Sequence, residues 1–158
     1  MYWRGHVGLG LLAYAPFAAL ALGADRPGLA LTGGVLAAAF STLPDVDESL
    51  PIPHRGPTHT LAFAIGTGVL AGVAALLVAA GGASPSVWTP VFVGGVVTVS
   101  LCSHLVGDVL TPMGIRPFCP VSEAWFSLDL TPAKNPRANR FLLSAGVLGA
   151  SIVVVASV

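Results

Sequence analysis

Charge is what this sequence has least of. Seven Lys and Arg and seven Asp and Glu make up only 9% of its 158 residues, against roughly 25% in ordinary soluble domains. So few basic residues, at zero formal net charge, leave no electrostatic footprint for DNA or RNA. Cysteine is scarce as well. Cys102 and Cys119 form no CxxC pair and no disulfide framework, and they read as a small packing residue and a loop thiol. Neither the HExxH of a zinc protease nor the GxSxG of a serine hydrolase occurs. What remains is apolar: 54% of the chain is hydrophobic and its mean hydropathy is +0.84. That composition belongs to an integral membrane protein, and the length fits one domain over residues 1–158.

Five apolar stretches run roughly over 7–23, 29–43, 58–80, 88–110 and 141–157. The third spans about 35 Å at helical rise, enough to cross a hydrocarbon core of about 30 Å. The second is short by this test and crosses tilted, ends inside the protein or thins the bilayer. Between the stretches lie "GADRPG", "LPDVDESLPIPHRGP", "GGASPS" and a long segment from Thr111 to Arg140, all rich in residues that cannot continue a helix. The expected fold is an all-α, polytopic bundle of about five transmembrane helices with a long cytoplasmic loop before the last. The first stretch has the outline of a signal peptide, with Arg4 before it and small residues at Gly23 and Ala24. Tyr2, Trp3 and Arg4 form an interfacial anchor, however, and His6 has a part in the site argued below, so the stretch is expected to be retained.

Five crossings put Arg4, Arg55, Arg116, Lys134, Arg137 and Arg140 on the N-terminal side and Arg26 alone on the other. The positive-inside rule assigns that side to the cytoplasm and the C-terminus to the outside. The same parity sorts the polar residues. His6 opens span one, Asp45 and Asp47 close span two, His54 and His59 open span three, and His104 and Asp108 close span four. Every histidine therefore falls at one end of the bundle. Residues 45–59 alone hold six of the 18 ionisable side chains, a cluster that is costly beside a bilayer unless its members pair or bind a metal.

Imidazole nitrogens and carboxylate oxygens are the donors that hold zinc or a similar divalent ion. His104 and Asp108 stand four apart, on one helical face, where both can reach one ion. His59 follows Thr58, which is placed to cap span three. Singly, each of these has a plainer explanation: a His-x3-Asp pair is often a structural hydrogen bond, and "LPD" after an apolar run is often only a helix stop. Confinement of all four histidines to one face favours a shared site. Glu48, Glu123 and Asp129 lack such company and are expected on a solvated surface or paired with nearby Arg and Lys. A transporter would carry ionisable groups near the bilayer midplane, and the middles of these spans have none.

In that order, "HVGLG", "LPDVD", "HRGPTHT" and "HLVGDVLTPMGI" resemble the membrane-bound, metal-dependent hydrolase family of the YdjM type, also described as LexA-binding, inner-membrane-associated hydrolases. The order is more distantly similar to zinc-dependent phospholipase C and P1-type nucleases. The resemblance implies His6, Asp45, His59, His104 and Asp108 as metal ligands. It lacks the later His pair or HxxxE of a three-metal site, which leaves one or two ions, with zinc the expected metal. The phosphohistidine lipid phosphatases also use HxxxD, but their upstream arginine and PSGH-like segment are missing here.

Such a site supports hydrolysis by activated water. Asp47 or His54 is expected as the general base or an extra ligand. Arg55 either binds a phosphate or developing oxyanion with its planar fork, or pairs with Asp47 or Glu48. Arg140 is a second such candidate, or an interfacial basic anchor. The 111–140 loop, with Phe118, Trp125 and Phe126, is expected to cover the site at headgroup level. The expected partner is therefore membrane lipid, with a lipid or lipid-linked substrate approaching from the cytoplasmic leaflet. The sequence leaves the oligomeric state open. The competing reading is a membrane adaptor whose metal is purely structural, with every coordination position filled by protein.

Overall fold

A computed structural model describes residues 1–81 and 87–157. Five α-helices carry the chain: α1 (Trp3–Gly23), α2 (Pro27–Phe40), α3 (Leu61–Ala80), α4 (Trp88–Val109) and α5 (Pro136–Ala156). All are apolar enough to cross a membrane, α2 only together with the 3-10 helix Leu43–Ser49 that follows it. Fourteen residues of α2 reach about 21 Å, short of a hydrocarbon core. With the 3-10 helix included, the segment Pro27–Ser49 reaches 23 residues, so the short second stretch is extended by a change of helical geometry.

Helix α1 packs against α5, α2 and α4, and α4 against α3, α1 and α2, so α1 and α4 form the middle of the bundle. No bulk hydrophobic force drives helices together in lipid, and close approach of backbones takes its place. Gly8 and Gly146 let α1 and α5 touch main chain to main chain: a Cβ on Gly146 would meet the Gly8 Cα at 2.8 Å. One apolar cluster joins Tyr14, Ala18, Ala37 and Val96, and a second joins Ala64, Val97 and Leu101. The Tyr14 hydroxyl, buried mid-span, donates to the Ala30 carbonyl.

Two boundaries differ from expectation. The cap of α3 is Thr60, whose hydroxyl accepts from Phe63 N at 3.1 Å. Thr58 lies one turn earlier, in the 3-10 turn Pro57–His59, and its hydroxyl points to Asp47 instead. Helix α5 begins at Pro136, several residues before the last apolar stretch, because Asn135 caps it by accepting from Arg137 N and Ala138 N. That cap and a proline at the first position define a helix start independently of hydropathy.

The connection between α4 and α5 is ordered by its backbone. Leu128 N donates to Val109 O and Leu130 N to Leu110 O, at 2.7 and 2.9 Å. Ile115 and Phe126 form one antiparallel bridge, the only strand-like pairing among the described residues. Leu61 N donates to Pro117 O at 2.8 Å, tying this segment to the start of α3. Ile115 is buried, whereas Val121, Trp125, Phe126, Leu128 and Leu130 are exposed.

Candidate metal centre

The ends of α2 and α4, the start of α1 and the turn before α3 meet at one end of the bundle. His6, His59, His104 and Asp108 are fully buried there. Asp45 keeps 23% of its side chain exposed and His54 34%, so these two form the rim.

Four donor atoms converge at the centre. His59 Nε2 and His104 Nε2 lie 3.1 Å apart. Asp45 Oδ1 is 3.5 Å from the first and 3.4 Å from the second, and Asp108 Oδ2 is 3.2 and 3.3 Å from the same two atoms. These are five of the six edges of a tetrahedron. Edges of this length place a centre about 2.0 Å from each corner, the Zn–N and Zn–O bond length. Asp108 Oδ2 is buried with no hydrogen-bond partner, since neither imidazole is aligned to donate to it. An unsatisfied buried carboxylate oxygen facing two imidazole nitrogens is costly without a cation.

The tautomers of the two histidines agree with this. His104 Nδ1 lies 2.8 Å from the Ser41 carbonyl, which can only accept, so Nδ1 carries the hydrogen. Thr58 Oγ1 donates to Asp47 Oδ2 at 2.9 Å and lies 3.0 Å from His59 Nδ1, so its oxygen accepts from that ring. Both Nε2 atoms therefore turn lone pairs toward each other, and one must hold a proton when no metal is present. Burial works against a charged His59, but the Asp108 and Asp45 carboxylates outweigh it and raise its pKa above the usual histidine value. An outer carboxylate or carbonyl on Nδ1 is the usual support of a metal-binding imidazole. The residues present fit a divalent ion held by His59, His104, Asp45 and Asp108.

His6 stands beside this tetrahedron rather than at a corner. Its ring stacks on His104 at 3.7 Å between centroids, in space left by Gly107, where a Cβ would come within 3.1 Å of His6 Nδ1. Its Nε2 lies 3.0 Å from the Met1 carbonyl and so carries the hydrogen. The same nitrogen faces the second oxygen of each carboxylate, 3.6 Å from Asp108 Oδ1 and 3.8 Å from Asp45 Oδ2. Asp108 Oδ1 also accepts from the Met1 ammonium at 2.5 Å and from Arg55 Nη2 at 2.9 Å.

Arg55 is therefore spent inside the protein. Its Nη1 donates to Thr111 Oγ1 and Gly114 O, both at 3.0 Å, and its Nε is buried without a partner. The side-chain partner is Asp108, not the Asp47 or Glu48 considered from sequence. Asp47 takes the backbone N–H of Arg55 instead, at 3.0 Å. Asp47 Oδ1 also accepts from His54 Nδ1 at 2.8 Å, and His54 Nε2, at the rim, lies 3.8 Å from Glu48 Oε1. Glu48 and Glu123 are exposed, the latter paired with Arg116 at 3.2 Å. Arg140 and Asp129 are exposed too.

Several contributors went unseen in the sequence. The Ser41 carbonyl has no side-chain signal at all. Thr111 and Gly114 look like ordinary loop residues until Arg55 reaches them. Thr58 reads in the sequence as a helix cap, and its hydroxyl instead joins Asp47 to His59.

No curated protein and no solved structure matches this chain. The profile of the YdjM inner membrane protein family matches residues 1–157. That match covers every residue of the metal centre, and with five membrane-crossing helices behind it the conclusion is plain: the chain belongs to the YdjM inner membrane protein family.

Proposed function

We propose that this protein is a membrane-embedded, metal-dependent hydrolase that cleaves a phosphoester of a lipid or lipid-linked molecule. The observation that carries the reading is the buried tetrahedron of His59, His104, Asp45 and Asp108 with its unsatisfied Asp108 Oδ2. A divalent ion, zinc by donor type and spacing, would acidify a water and neutralise charge on a phosphoryl oxygen. His6 Nε2, with its hydrogen on the Met1 carbonyl side, faces the outer oxygens of both carboxylates, so His6 would support the two carboxylate ligands, and would itself bind an ion only in the other tautomer.

The protein's own groups divide the remaining work. Asp45 is the one corner with exposure, so a substrate would arrive over it, and a shift of this carboxylate would make room for it. His54, at the rim, would take the proton of the attacking water: Asp47 accepts from its Nδ1, as a carboxylate orients a general base, and its Nε2 lies 3.8 Å from exposed Glu48. Asp47 itself, with donors on both oxygens, is not that base. Exposed Tyr2, Trp3, Trp125 and Phe126 lie at the same end of the bundle, where amphipathic rings favour headgroup depth. That placement supports a substrate drawn from the membrane.

Purified protein loaded with zinc is expected to hydrolyse phosphomonoester or phosphodiester lipid analogues. Activity should be lost on chelation and restored by metal. His54→Ala is expected to lower kcat by about 100-fold or more with metal content unchanged, the typical scale of a general base. A second reading has one observation in its favour: four protein donors close a tetrahedron, the pattern of a structural site. No turnover of either analogue by fully loaded protein would favour that adaptor role.

The basic-residue count supports a cytoplasmic location for the site and for the 111–135 connection. A cysteine introduced at position 50 should then resist impermeant reagents in intact cells. Labelling from outside would reverse the orientation.

A further inference from the structure

We infer that Asp47 is a positioning residue for the metal centre, orienting two ligands on different segments: His59 through the Thr58 hydroxyl, and Asp108 through Arg55. The inference rests on reading the site as a metal centre.

Asp47 is 1% exposed, and three donors reach its carboxylate: His54 Nδ1 on Oδ1, and Arg55 N and Thr58 Oγ1 on Oδ2. His59 Nδ1 lies a further 3.2 Å from Oδ2. Each carboxylate oxygen has about two lone-pair directions: Oδ2, with three contacts, has none left for an ion, and Oδ1 is turned to His54 at the rim. The His59 contact and the Thr58 hydroxyl together keep the hydrogen of His59 on Nδ1 and turn Nε2 toward the centre. The second arm runs through the backbone. Arg55 sits in the left-handed region, at φ 58°, a conformation that a side chain with a Cβ rarely adopts. The bond from its N–H to Asp47 holds it there. From that conformation the guanidinium reaches Asp108 Oδ1, Thr111 and Gly114. With Oδ1 held, Oδ2 is left facing His59 and His104. One carboxylate at the end of the second span thus aims ligands from the turn before α3 and from the end of α4.

The test measures zinc affinity by chelator competition, and the absorption spectrum of the cobalt(II)-loaded form, on the full chain in detergent. Asp47→Asn keeps the shape but replaces one acceptor oxygen with a donor, which must face a hydrogen of the loop. It is expected to bind the same number of ions about 10- to 100-fold more weakly, with a shifted cobalt spectrum as His59 reorients. Thr58→Val, which removes only the hydroxyl shared by Asp47 and His59, is expected to weaken binding about three- to tenfold. If Asp47→Asn fails to fold, this variant decides the question. Wild-type affinity and an unshifted spectrum in the folded variants would overturn the positioning role while leaving the metal centre intact. Folded Asp47→Asn with no ion at all would make Asp47 a ligand and overturn it as well. Wild-type protein that takes up no zinc or cobalt would overturn the metal centre, and this inference with it.

Discussion

Helices α3 and α4 pack against each other and are both apolar enough to cross a membrane, yet they do opposite jobs. Helix α3 buries only Ala64 and Gly68, whereas α4 buries ten residues, among them Ser100, Ser103, His104 and Asp108. Lipid solvates α3 on most of its surface. Protein solvates α4, and that lets polar groups be carried at membrane depth, because each finds a partner there. Ser100 Oγ and Ser103 Oγ donate to backbone carbonyls of their own helix, and His104 takes the Ser41 carbonyl. Hydropathy finds both helices but does not tell the lipid-facing wall from the core, since lipid tails and a protein interior are equally apolar. The difference lies in where the small and polar residues sit.

The sharpest way to break this comparison is at the ligands. His104→Ala and Asp108→Asn are each expected to weaken zinc binding by more than about 100-fold, beyond the range of outer-sphere changes, so that purified protein loses its ion by metal analysis. Thr67→Val, a polar-to-apolar change on α3, should leave metal content untouched. Full occupancy in both α4 variants would dismantle the proposed centre. Uptake should also weaken with acidity. The two Nε2 atoms of His59 and His104 share one proton in the metal-free site, and the carboxylates beside them raise the pKa of His59 above the usual histidine value, so lowering the pH favours the proton that an ion must displace.

A smaller effect separates the two helices by packing alone. Leu101 on α4 is fully buried and Leu70 on α3 is 70% exposed. Leu101→Ala is expected to cost about 2–5 kcal/mol, and Leu70→Ala to stay within about 0.5 kcal/mol, read as a clear loss of thermal stability in detergent against almost none. Equal losses would mean that α3 is covered by something other than lipid.

The spans and the shared face of the candidate ligands were legible in the sequence, because both follow from rules of period and parity. Five crossings fix which helix ends are neighbours, and that alone gathers His6, Asp45, His59, His104 and Asp108. What it could not show is how the nitrogens are aimed. His6 and His104 are both buried histidines at helix ends, and only the carbonyl each one faces, Met1 or Ser41, puts the hydrogen on Nε2 in one and Nδ1 in the other. Backbone acceptors have no residue code. Arg55 shows the same limit: its fork suits a phosphate as well as it suits Asp108, and a left-handed backbone decides between them. Thr58 and Thr60 are two candidates for one cap, separated by a register that only the 3-10 turn Pro57–His59 settles.

The four converging donors also impose an order on assembly. Asp45 and His59 emerge early in synthesis, but His104 and Asp108 follow only at the far end of α4, with His104 45 positions after His59 in sequence. Two donors hold an ion poorly, and loop closure over such a distance gains little until both ends are anchored. On the proposed reading an ion would be captured only after the fourth helix has docked. Binding would then act as a late lock on the bundle, fastening the end of α2, the turn before α3 and the end of α4 at one face once the hairpins exist.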